Sequence, residues 1–150
     1  MKKLLLVLTL GTMAASATTL VDGGMSASGQ AAVNSYNALT LCMNEMEACL
    51  SRIHDKKTAA AEAPTLLMLG QQLKVMLAGM EAPYLVSQKA TTEEDKKALG
   101  RCSYYLRKAG VAVQQQMIRL AKEQFYHSAP LIKAFQTLEM LGSDADSLIR

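Results

Sequence analysis

The chain of 150 residues carries 16 lysines and arginines against 13 aspartates and glutamates; half of it is hydrophobic and only 5% aromatic. Lys2 and Lys3 lie in a segment expected to be removed, which leaves 14 basic residues against 13 acidic ones, a mature charge near +1 rather than the basic protein its pI suggests. Sequence-independent nucleic-acid binding needs many phosphate-neutralising charges, so no nucleic-acid partner is expected.

At the N-terminus, Lys2 and Lys3 precede a short apolar run, Leu4 to Leu10, and then Ala15-Ser16-Ala17. A positive segment, a brief apolar core and an A-x-A site in that order read as a secretory signal peptide over residues 1–17. The run is well short of the roughly 20 residues that span a bilayer. Export to the periplasm or medium follows as the expectation, with membrane contact at most peripheral. Residues 18–30 are small and polar and read as a flexible leader. The domain proper is placed at 31–142, with a tail at 143–150.

Helical periodicity then takes over. Tyr36, Leu39, Met43, Met46, Leu50 and Ile53 recur at steps of three and four, a single apolar stripe that predicts a first helix over about 30–55. His54 to Thr58 is the break. Thr58 reads as the N-cap of a second helix, and the alanines at 59–61 and 63 favour it. Pro64 either bends this helix or begins it. Leu66, Leu69, Leu73, Met76 and Met80 continue the stripe, and Pro83 is expected to stop it.

A loop from Pro83 to Ala90 leads to a third helix over about 92–127. Thr91 and Glu94 form its expected capping box, and Glu93, Glu94 and Asp95 suit its positive end. Leu99, Cys102, Leu106, Ala109, Val113, Met117 and Leu120 line its inner face, with bends allowed at Gly100 and Gly110. Ser128-Ala129-Pro130 opens a short fourth helix that Gly142 ends. No alternating β-branched run appears. The expected fold is therefore all-α: an antiparallel bundle of three long helices plus a short C-terminal one.

The junction between the first two helices reads D-x-x-T-A-x-x-x-A-P-x-L, carried by Asp55, Thr58, Ala59, Pro64 and Leu66. With the capped acidic start of the third helix, it resembles a group of small exported bacterial helical proteins that are themselves uncharacterised. The resemblance covers roughly residues 36–125 and does not include the cysteines. It implies the helical hairpin and no activity.

Cys42, Cys49 and Cys102 remain after cleavage, and an exported protein meets oxidising conditions. Cys42 and Cys49 are seven residues apart on one helix, about 10 Å, beyond the roughly 7 Å that a disulfide spans. With the first interhelical turn as the top, Cys42 lies about 22 Å below it and Cys49 about 12 Å. A second helix descending about 33 Å and a third climbing back about 15 Å put Cys102 about 18 Å below the top. Cys42–Cys102 is the favoured pair and Cys49–Cys102 the alternative, while three reduced thiols stay open. Cys49 and His54 diverge at five residues' separation on a helix, so no catalytic pair is assigned.

Eight methionines survive cleavage. Exported methionine-rich proteins can bind copper(I), and a Met–His pair with His54 or His127 is a haem-ligand set. The methionines share the leucine stripes, however, and the histidines fall at helix ends, where core packing and carbonyl contacts account for them. No catalytic residue, metal site or cofactor is assigned. Arg101, Lys108 and Lys122 recur at multiples of seven on the third helix with Tyr105 nearby, a solvated face or a surface-binding patch. The functional expectation is a non-enzymatic protein acting by protein or surface interaction, as a scaffold or chaperone-like module, with an unknown protein partner and a homodimer allowed. A metal- or haem-binding carrier is the alternative.

Overall fold

A computed structural model describes residues 24–89 and 92–148, with side chains as far as Leu138. The segment read as a signal peptide, the first part of the one read as a leader, Ala90, Thr91 and the last two residues lie outside the described residues. Those described are all-α, with no strand: α1 (Ala27–Ser51), α2 (Lys56–Ala78), α3 (Glu81–Gln88), α4 (Glu93–Lys122) and α5 (Ala129–Leu148).

Ser26 starts α1 by accepting from Gly29 N, so the helix reaches into the segment read as leader. Asp55, not Thr58, is the N-cap of α2. Its carboxylate accepts from Thr58 N while the Thr58 hydroxyl accepts from Asp55 N, a reciprocal box that puts the cap three residues earlier than expected. Pro64 lies inside α2 on its exposed side, where water can reach the carbonyl left without an N–H.

Between Pro83 and Gln88 the expected loop is helical. Pro83 occupies the first turn of α3, where a missing N–H leaves nothing unpaired. The cap of α4 is Thr92, whose hydroxyl accepts from Asp95 N. Gly100 and Gly110 do not interrupt α4, which ends at Lys122 rather than 127.

Gln124 to His127 then turn through four consecutive left-handed residues, none of them glycine. Each costs roughly 1–2 kcal/mol. The turn sets Phe125 against Phe135, with ring centroids 4.8 Å apart. Beyond it α5 continues past Gly142, through part of the segment read as tail, to Leu148.

Hydrogen bonds give the register. Cys49 reaches Glu62 and Cys42 reaches Leu69, so α1 and α2 run antiparallel. Ser26 meets Asp95 and Leu50 meets Arg119, so α4 runs parallel to α1. Gly70 faces Leu138, which seats α5 beside α2. An upper core around Leu50, Ile53, Leu66, Leu120 and Leu131 joins α1, α2, α4 and α5. A smaller lower core around Val33, Tyr36 and Leu99 is closed by Val86 of α3.

Candidate functional site

On α4, a residue every 100° leaves Leu99, Cys102, Ala109, Val113 and Leu120 on the buried side. Tyr104, Val111 and Ile118 fall outward at seven-residue steps and are exposed. Leu41 lies off the apolar stripe of α1 in the same way, with 64% of its surface in water. These off-stripe apolar residues were the sequence signal for an exposed apolar face, and periodicity alone passed over them.

Because α1 and α4 run parallel, with Ser26 beside Asp95 and Leu50 beside Arg119, Leu41 and Tyr105 fall on facing walls, with Tyr105 about a turn lower. Between them lies an open groove of about 510 Å³, lined by Asn37, Thr40 and Asn44 of α1 and by Lys108, Ala109 and Ala112 of α4. The alanines make its floor. Tyr105, 57% exposed, stands at its edge with Tyr104 packed edge-on against it at 5.5 Å.

Three of the four residues expected to form a surface patch gather here. Arg101 is exposed one turn below Tyr105, and Lys108 lines the groove. Lys122 is exposed as well but lies about 21 Å along the axis from Lys108, so it is no part of this site. Arg119, counted by sequence with the basic face, is turned inward. It donates to the carbonyls of Leu50 and Ile53, each at 2.9 Å.

Neither expected disulfide is present; all three cysteines are buried and free. Cys49 Sγ donates to Glu62 Oε2 at 3.3 Å, Cys42 Sγ to the Leu69 carbonyl at 3.8 Å, and Cys102 Sγ to Asn37 Oδ1 at 3.4 Å. The helical segment α3 explains the error. It lets α4 start level with Ser26, so Cys102 comes between the levels of Val33 and Asn37, at least about 7.5 Å below Cys42 along the axis and at least about 18 Å below Cys49. Cys42 and Cys49 also face α2 rather than α4.

Burial raises all three thiol pKa values, most at Cys49, which is pushed up to about 12 by burial and then by the Glu62 carboxylate. Glu62 is held below its usual range by Arg52, which it meets at 2.8 Å. A thiol facing a carboxylate is held protonated, the opposite of what a nucleophile needs.

Met43, Met46 and Met117 pack in the upper core, and Met25 and Met80 against the lower one. His54 is exposed at the end of α1 with Nδ1 2.8 Å from the Arg52 carbonyl, and His127 is exposed in the left-handed turn. Among the described residues no three His, Cys, Asp or Glu side chains gather as a metal site. No helix among them is long and apolar enough to cross a membrane. No family model, curated protein or solved structure matches the chain.

Proposed function

We propose that this is an exported, non-enzymatic helical protein that acts by binding another protein through the outward face of α4 and its groove with α1. One observation carries the reading: Leu41, Tyr104, Tyr105 and Val111 are left in water around this groove, although the chain has two cores that bury most of the large apolar side chains of α1 and α4. Exposed apolar surface rimmed by polar and charged groups is a common mark of a protein interface. The bundle, in this reading, is a scaffold that presents that face, and export rests on residues 1–17.

A photo-crosslinking amino acid at Leu41, with a control at the exposed Lys57 of α2, tests it in the source cell. A discrete adduct from position 41 that is absent from position 57 is expected. Equal adducts from both, or none from position 41, sink the reading. The carrier alternative is judged on the same preparation, where a Soret band or stoichiometric copper would displace the interaction role.

A further inference from the structure

From Lys96 to Lys122, α4 holds seven basic residues and no acidic one. Lys96 is paired with Glu93 at 2.8 Å, and Arg119 is spent on the end of α1. Lys97, Arg101, Arg107, Lys108 and Lys122 have no ion-pair partner among the described residues, and all are exposed. In a mature chain of nearly zero net charge, this positive field is local. It cannot be put down to general basicity.

Charge is unequal across the groove too. The α4 wall carries Lys108, with Arg101 a turn below; the α1 wall carries Asn37, Thr40 and Asn44, and beyond Leu41 the next outward charge on α1 is Glu45. An acidic partner is attracted to one wall and repelled beyond the other, which gives it an orientation as well as a location. The shape selects among acidic partners. A shallow, open groove two helical turns long, lined by alanines with Leu41 and Tyr105 exposed along it, accepts the ridge of a helix, whereas a bilayer is met by a broad apolar surface.

We infer that the α1–α4 groove binds an acidic amphipathic helix of a partner protein, with its apolar side chains between Leu41 and Tyr105 and its carboxylates on Arg101 and Lys108. This rests on the interaction reading given above and names the chemistry of the partner.

The test uses the purified protein and a labelled synthetic helix bearing leucines on one face and glutamates on the other. Its lysine-for-glutamate counterpart and vesicles of phosphatidylglycerol or phosphatidylcholine serve as comparisons. The acidic peptide is expected to bind, more weakly as salt rises. Affinity should fall about tenfold or more in R101E/K108E and in L41E/Y105E, and stay unchanged in K56E/K57E, which alters net charge equally far from the groove. Circular dichroism of each variant confirms that it is folded.

No binding of the acidic peptide, equal binding of the lysine peptide, or undiminished binding by R101E/K108E overturns the inference. So does tighter binding to phosphatidylglycerol vesicles, which would assign the face to a membrane. A basic or neutral partner crosslinked at position 41 removes this inference alone. A position 41 that crosslinks nothing removes the interaction reading with it.

Discussion

Asp95 and Arg119 stand 24 positions apart on α4 and hold the two ends of α1. Asp95 accepts from Ser26 N at 3.0 Å and Ser26 Oγ at 2.7 Å, while Arg119 donates to the Leu50 and Ile53 carbonyls. The carboxylate meets the end of α1 with unfilled N–H groups and the guanidinium meets the end with unfilled carbonyls. Each opposes the partial charge found there. The pair locks α4 in register on α1, and that register sets Tyr105 across the groove from Leu41, about a turn lower. The groove depends on both clamps.

Replacing Arg119 with glutamine should cost about 1.5–3 kcal/mol, the usual scale for hydrogen bonds to a charged group. Lysine should recover only part, because an ammonium lacks the planar fork that spans two carbonyls. Urea unfolding measures both. A loss below about 0.5 kcal/mol in R119Q, the range of ordinary surface changes, contradicts the clamp.

At the other clamp, the Ser26 hydroxyl and amide hold the Asp95 carboxyl below its usual range, as Thr58 does for Asp55 and Arg52 for Glu62. A depressed pKa contributes stability that is fully present above the unfolded carboxylate range, near pH 4, and is lost as pH falls through the folded values. Stability should therefore drop on acidification below about pH 4. In D95N that drop should be shallower, with lower stability already at neutral pH. Denaturation midpoints collected across pH decide it, and an acid limb as steep in D95N as in the parent counts against the assignment.

Alanine at four of the helical glycines should split by position. A Cβ at Gly29 would fall onto the Asp95 carboxylate, and one at Gly70 onto Leu138, whereas Gly100 and Gly110 have nothing within 4 Å. G100A and G110A should each stabilise by about 0.5–1 kcal/mol, the ordinary helix preference for alanine. G29A and G70A should destabilise, G29A while loosening the Asp95 clamp. Thermal melts of the four variants give the signs directly.

The thiols offer a chemical check on packing. None of the three should react with a disulfide reagent at pH 8 in the folded protein, and all should react in urea. A raised pKa contributes stability that is present below the unfolded thiol value, near 9, and is lost as pH rises toward the folded one. For Cys49 the alkaline loss should therefore run from about pH 9 to about 12. Rapid labelling of the folded chain would refute this burial.

The left-handed turn predicts a gain. Gln124 is exposed at φ 49°, so Q124G should stabilise by about 0.5–1 kcal/mol, relief of strain outweighing the added chain entropy. Ser128, next to the turn, buries its hydroxyl with no hydrogen-bond partner among the described residues. S128A should be neutral or stabilising. Destabilisation in Q124G speaks against the turn.

Local chemistry made much of this legible. The 3–4 spacing of Tyr36 to Ile53 and of Leu99 to Leu120 states which face turns inward, because side chains three and four apart share a helix surface whatever the helix packs on. The start of α4 was readable to within one residue from its threonines and acids. Arg101, Tyr105 and Lys108 were recognisable as one face by spacing alone.

The levels at which the helices meet were not legible. A proline inside the first turn of α3 reads as a stop in sequence, which makes a loop of the chain linking α2 to α4 and places Cys102 too high against Cys42. Nor does sequence say that Asp95 and Arg119 reach across to α1, or that Leu41 is left in water opposite Tyr105. Periodicity fixes rotation about a helix axis, since neighbours on the same helix define it. Displacement along that axis is set by contacts between residues some 70 positions apart, and these exist only once the helices have packed.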